Sequence, residues 1–99
     1  MKEWRNYKSH YAKVVIKRQN ALTGAFLPGS EISIYDKADK WNTMRTCSIM
    51  KASGLVLYVK AGRDYGIFES MVPNGSQKAQ RIEFTAMPLT EGCNEFIMK

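Results

Sequence analysis

Residues 27–36 read LPGSEISIYD, and the rest of the chain can be interpreted outward from this stretch. Pro28 and Gly29 favour a tight turn, because proline presets one backbone angle and glycine tolerates conformations that other residues avoid. The residues directly after them alternate, which puts Ile32 and Ile34 on one side of an extended chain. The stretch therefore predicts a turn that leads into a β-strand.

Similar units of turn and strand follow one another along most of the chain. After Ala12, for example, Val14 and Ile16 share one side of an extended segment. Turn signals recur about every 8–12 residues, as in a β-sandwich or barrel, and no segment from Ala12 onward has a helical period. The predicted strands lie at residues 12–17, 31–35, 41–50, 55–59, 65–69, 81–87 and 95–98. The fold class is therefore predicted to be all-β, a two-sheet sandwich of about seven strands.

Length and composition indicate one ordinary globular domain. The 99 residues are enough for a single modest core, and 44% hydrophobic with 24% charged residues are typical of a folded chain. No apolar run approaches the ~18 residues of a membrane span, and residues 1–13 lack the apolar centre of a signal peptide. We therefore expect either a cytoplasmic protein that starts at Met1 or a domain excised from a longer protein.

The positive charge is concentrated at one end of the chain. The net charge is +6, and residues 1–20 contain six basic residues against one acidic residue. We predict a basic, aromatic N-terminal arm at residues 1–10 and a single sandwich domain at residues 11–99. Basic side chains between rings suit single-stranded nucleic acid or an anionic surface, and the candidate contacts are Lys2, Trp4, Arg5, Tyr7, Lys8, Tyr11 and Lys13. The alternative is that these rings cover one end of the sandwich while the lysines are simply solvated.

Residues that commonly bind metals or perform catalysis are few. His10 is the one histidine in the sequence, so the two cysteines cannot complete a tetrahedral zinc site. No nucleophile is seen together with a base, and we expect no metal, no cofactor and no catalysis. Cys47 and Cys93 permit one disulfide if their strands are neighbours, and free thiols are equally compatible with the sequence.

Trp41 begins a stretch, residues 41–50, that alternates only weakly and predicts an edge strand. Its indole ring would suit stacking on a carbohydrate, a protein contact, or packing at the core or the edge. An exposed edge strand can also pair with a second chain. We therefore expect a monomer or an edge-strand dimer.

Four segments of the chain resemble one known family. They are TGAFLPGSEISIYD at residues 23–36, ASGLVLYV at 52–59, AGRDYGIFES at 61–70 and VPNG at 72–75. In this order they are similar to the turns and strands of the Cna protein B-type domain, a prealbumin-like sandwich found in Gram-positive surface adhesins and pilins. The resemblance covers about residues 14–85.

The resemblance implies a prealbumin-like (Ig-like) sandwich that acts as a non-catalytic structural or ligand-presenting module. It would belong to an extracellular, cell-surface or appendage protein, with another protein, an extracellular-matrix component or a carbohydrate as its ligand. The alternative is a small, basic, cytoplasmic β-domain that binds single-stranded nucleic acid through its N-terminal arm.

Members of this family often contain an internal isopeptide bond, in which a lysine of the first strand joins an Asn or Asp of the last strand beside a buried glutamate. Glu69 matches the position of that glutamate, and its phase with Tyr65 and Ile67 points it inward. Arg18 falls at the lysine position, and a guanidinium stays protonated and cannot attack a carbonyl. Asn94 precedes the predicted last strand, and no Asp or Asn follows that strand.

We therefore predict that the isopeptide bond is absent and that Arg18 forms a buried ion pair with Glu69. Two alternatives remain open at this point. Arg18 could be exposed beside an ordinary strand, or a different register could bring Lys17 together with Asn94.

Overall fold

The computed structural model describes residues 8–99, which form seven strands in two sheets. The strands are β1 (Tyr11–Arg18), β2 (Glu31–Asp36), β3 (Arg45–Ser48), β4 (Leu55–Lys60), β5 (Asp64–Met71), β6 (Ile82–Thr85) and β7 (Cys93–Met98). Residues 8–10 are helical, a four-residue helix α1 spans Lys40–Thr43, and a 3₁₀ turn spans Leu89–Glu91. The predicted all-β sandwich is therefore confirmed.

The first and last strands lie side by side. In the three-stranded sheet, ordered β4-β1-β7, β1 pairs antiparallel with β4 and parallel with β7. The four-stranded sheet, ordered β3-β2-β5-β6, is antiparallel throughout. Parallel neighbours cannot be joined by a hairpin, so the chain between β1 and β7 has to cross over and builds the second sheet on the way.

The core lies between the two sheets and is filled by alternate residues of each strand. In β1, Val14 and Ile16 are buried with Arg18, while the residues between them are only half-buried. In β5, Ile67 is buried and Glu69 follows it in the same phase. Successive strand side chains point to opposite faces, so both rows of apolar residues end in a charged residue that points into the core.

The prediction of a weak strand over residues 41–50 is wrong for the first part of that segment. Helix α1 occupies its start, and β3 begins only at Arg45 as an edge strand of the four-stranded sheet. Hydrogen bonds within the segment explain the helix, since the Asp39 carbonyl accepts from both the backbone and the hydroxyl of Thr43, and the Asp39 side chain accepts from Asn42. Such short-range polar contacts compete with strand pairing.

The possible disulfide between Cys47 and Cys93 is not present, and both residues are free thiols. Cys47 lies in β3 of the four-stranded sheet, whereas Cys93 is the first residue of β7 in the three-stranded sheet. The two strands are not neighbours, which is the condition on which the bridge depended. Asn94 also lies inside the last strand and not before it.

Candidate functional site

Two strands from different sheets bring one cation and one anion together inside the core. Arg18 is the last residue of β1, and Glu69 lies near the end of β5. Each residue is about 1% exposed, so both charges are removed from water. The strand periodicity places them there, because each continues the inward phase of the apolar residues before it.

The Arg18 and Glu69 side chains form a two-point ion pair. Arg18 Nε donates to Glu69 Oε2 at 2.7 Å, and Arg18 Nη2 donates to Oε1 at 3.3 Å. The fork of a guanidinium matches the two oxygens of a carboxylate, and such charge-assisted hydrogen bonds are stronger than neutral ones. The geometry is that of a fixed structural contact between the two sheets.

Each carboxylate oxygen also accepts a second hydrogen bond from outside β1. The Ser30 hydroxyl donates to Oε2 at 2.6 Å, and the backbone N–H of Ala79 donates to Oε1 at 2.9 Å. Ser30 directly precedes β2, and Ala79 lies in the connection between β5 and β6. The single carboxylate of Glu69 therefore holds the start of one strand and an irregular segment in addition to the arginine.

Two further N–H groups of Arg18 donate to backbone carbonyls at the same end of the sandwich. Nη1 donates to the carbonyl of Gln19 at 2.7 Å, and Nη2 donates to the carbonyl of Gln77. Among the described residues, every buried side-chain nitrogen or oxygen has a hydrogen-bond partner. A buried polar group without a partner is costly, so this complete pairing is what makes the buried charges tolerable.

The surroundings hold Glu69 in its ionised form. Burial acts to raise the pKa of Glu69, but the hydrogen bonds from Arg18, Ser30 and the Ala79 N–H outweigh it and lower that pKa below its ordinary value. The carboxylate is therefore charged at neutral pH and acts as an acceptor only. It is not poised to carry a proton.

The strand position beside Arg18 is occupied by an apolar residue. In the register of β1 and β7, Arg18 is paired with Met98, which is buried. A thioether has no carbonyl carbon that an amine could attack, and the guanidinium of Arg18 is not a nucleophilic amine. The family resemblance implies a lysine, an Asn or Asp, and a glutamate. Of these three groups, the glutamate is the one found at its expected position.

The structure does not bring Lys17 and Asn94 together, as the alternative register would require. Lys17 points outward and forms a partly exposed ion pair with Glu95 at 3.2 Å. Asn94 pairs with Val14, far along β1 from Lys17, and its amide binds the backbone of Met87 and the Lys13 carbonyl. Asn94 thus has a structural role, in which its side chain ties the approach to β7 against β1.

The predicted N-terminal contacts are only partly within the described residues. Lys2, Trp4, Arg5 and Tyr7 lie outside them. Lys8 lies in the helical residues 8–10, whereas Tyr11 and Lys13 belong to β1 itself. Two of the six basic residues counted at this end, Lys17 and Arg18, are engaged in ion pairs with carboxylates, so less of the charge is available to a ligand than the sequence suggests.

The partners of Glu69 other than Arg18 were not foreseen from the sequence. Ser30 gives a weak signal, because it is a hydroxyl residue directly before a buried strand. The backbone N–H of Ala79 and the carbonyl of Gln77 give none, because any residue carries these groups. Between residues 8 and 99, no cluster of His, Cys, Asp and Glu could hold a metal ion, and no helix is long and apolar enough to cross a membrane.

Replacing Arg18 by alanine is expected to lower the free energy of unfolding by about 3–5 kcal/mol, because Glu69 would remain buried and charged without its partner. The matched control is Lys17→Ala in the preceding position, where a partly exposed ion pair with Glu95 contributes about 1 kcal/mol or less. Urea unfolding followed by circular dichroism measures both. Equal losses in the two variants would contradict a structural role for the buried pair.

The lowered pKa of Glu69 predicts a specific loss of stability in acid. Its folded pKa lies below its unfolded pKa, so the stabilisation is complete above the unfolded value and is lost as pH falls through the folded value. The neutral variant Glu69→Gln cannot titrate there. The stability difference between wild type and this variant should therefore shrink between about pH 6 and about pH 3, and a difference that stays constant over this range would refute the prediction.

Solved structures with a similar fold include domains of two larger proteins. The chain matches the Bacillus anthracis TIE protein with a TM-score of 0.73 at 18% identity, over 89% of this chain and 16% of that one. It matches the C-terminal domain of the shaft pilin SpaA from Lactobacillus rhamnosus GG with a TM-score of 0.63 at 15% identity, over 89% of this chain and 96% of that domain.

The longer form of the same shaft pilin matches with a TM-score of 0.64 at 14% identity, and the chain spans 46% of it. No family model matches the chain, and no curated protein matches it in sequence. At these identities the comparisons concern the fold. The chain therefore has the two-sheet sandwich fold of a shaft-pilin domain, as its resemblance to Cna protein B-type domains predicts.

Proposed function

We propose that this chain is a non-catalytic structural module of a cell-surface or appendage protein, held closed by the Arg18–Glu69 ion pair and not by an internal isopeptide bond. The single observation that carries the proposal is the position of this pair. It joins β1 of one sheet to β5 of the other, at the place where the family resemblance implies a lysine beside the same glutamate.

The chemistry of the site supports a non-covalent connection. An isopeptide bond forms when a neutral amine attacks a side-chain carbonyl and ammonia or water leaves. Arg18 supplies no such amine, and Met98 supplies no carbonyl. The hydrogen bonds of Glu69 are instead all used to hold neighbouring segments in place, which is a structural role and not that of an acid or base.

The similar structures support the setting in which such a module would work. The C-terminal domain of a shaft pilin has this fold and is matched over almost its whole length. By analogy the module would space, orient or present neighbouring parts of a longer surface protein. Its role would then depend on rigidity, to which a fully paired buried site contributes.

The intact mass of the denatured and reduced protein tests the covalent part of the proposal. We expect the full mass of the sequence, apart from any removal of Met1, because no bond forms between side chains. A mass short by one ammonia or one water would overturn the proposal. Digestion of the same sample between Arg18 and Glu69 would identify which residues were joined.

The surface setting is tested in the source cells. An antibody raised against residues 11–99 should label intact cells, and brief protease treatment of those cells should remove the label. The matched control is an antibody against a cytoplasmic protein, which should label only permeabilised cells. Labelling that requires permeabilisation would contradict a surface module, whatever the mass measurement shows.

A further inference from the structure

The outer face of the four-stranded sheet carries a row of alternating rings and cations. Tyr35 in β2 and Phe68 in β5 point away from the core, with their ring centroids 6.1 Å apart. The Arg81 guanidinium lies 5.4 Å from the Phe68 ring and 5.8 Å from the Tyr35 ring. Lys40 Nζ lies 5.1 Å from Tyr35 and 5.4 Å from Trp41. We call these five residues the cation–aromatic ladder.

Tyr35 is the centre of the ladder, and Gly66 makes its position possible. The two residues are paired across β2 and β5. A Cβ atom at position 66 would lie 2.4 Å from the Tyr35 ring, so only glycine leaves room for the ring to lie across the neighbouring strand. The ring is thereby almost fully buried under Lys40 and Arg81, and it holds both cations by cation–π attraction.

The two cations of the ladder have no carboxylate partner among the described residues. The cations near them differ in this respect, since Lys37 pairs with Glu83 at 3.2 Å and Arg63 pairs with Asp36 at 2.7 Å. The ring faces hold Lys40 and Arg81 in place without neutralising their charge. This part of the surface therefore presents fixed, uncompensated positive charge, which is complementary to an anionic ligand.

Trp41 lies beside Lys40 with its ring in water. It is 86% exposed, and helix α1, which carries it, buries none of its residues. Its indole thus contributes little to the core. A large exposed aromatic ring next to fixed cations is a surface that can stack on an apolar ring face while the cations bind charged substituents.

We propose that the cation–aromatic ladder binds an acidic polysaccharide, with Trp41 stacking on a pyranose ring and with Lys40 and Arg81 binding carboxylates of the sugar chain. The uncompensated charge favours an acidic over a neutral sugar. The arrangement favours a sugar over a single strand of nucleic acid, because Trp41 is the one open ring of the ladder, whereas successive bases need several. This inference is independent of the proposed function, since it requires no surface location.

The experiment uses a hyaluronan octasaccharide, whose alternate rings carry carboxylates, titrated into the protein by isothermal calorimetry. Binding is expected to weaken steeply with salt. Trp41→Ala should reduce the affinity about tenfold or more, and Arg81→Gln or Lys40→Gln should each reduce it several-fold. Lys60→Gln is the matched control, because it removes an equal charge from an exposed position of β4 in the other sheet and should leave the affinity unchanged.

A second readout follows the stacking itself. The sequence contains two tryptophans, Trp4 and Trp41, so a Trp4→Phe background leaves the fluorescence of Trp41 alone. A shift or quench of that fluorescence on titration with the octasaccharide, in step with the heat of binding, supports stacking on the indole. Heat of binding without any change in Trp41 fluorescence would overturn it.

Three further ligands separate the proposal from simpler explanations. Hexa-N-acetylchitohexaose is neutral and should bind at least tenfold more weakly than the octasaccharide. Polyglutamate has carboxylates without sugar rings, and if it binds equally well the site is a general polyanion surface and the proposal fails. Tighter binding of a single-stranded oligonucleotide than of the octasaccharide would also overturn the proposal, as would no binding of the octasaccharide at low salt.

Discussion

Taking a carboxylate and a guanidinium out of water costs several kcal/mol for each ion. The hydrogen bonds within and around the Arg18–Glu69 pair offset that cost, and the positions of several other segments depend on these hydrogen bonds. Two strands in different sheets must end at the same depth in the core. Ser30 must lie directly before β2, and the connection containing Ala79 must fold inward to donate its N–H. The pair thus constrains four separate segments at one end of the sandwich, and a slip of either strand by one residue would leave a buried charge unpaired.

The pair also favours one arrangement of the two sheets, although it adds less stability than its two hydrogen bonds suggest. Apolar residues of similar size in place of both partners could give a core of equal stability. They would not require one position of β1 relative to β5 in the facing sheet, because an apolar contact tolerates sliding more readily than a two-point hydrogen bond. We therefore regard the pair as specifying which arrangement of the two sheets is adopted.

The sequence predicts the inward placement of both charges because strand periodicity is strict, and each charge continues an apolar row of its own strand. The sandwich class follows from the same alternation with regular turns. Helix α1 was missed because its cause is a set of short-range hydrogen bonds around Asp39, which strand periodicity does not reveal. The separation of Cys47 and Cys93 could not be predicted either, since it depends on which sheet each strand joins. The cation–aromatic ladder was not predicted, because the Tyr35 ring can lie across β5 only where Gly66 is paired with it. That pairing depends on the register of β2 and β5, which the sequence alone does not reveal.

The parallel pairing of β1 with β7 has a mechanical consequence. The two strands point in the same direction, so the chain enters at one end of this pair and leaves at the opposite end. Tension applied through the two ends of the domain pulls β1 and β7 past each other along their length. All the hydrogen bonds between them then bear load together and are not unzipped one at a time. Under such tension the domain would resist extension at this strand pair before its core opened.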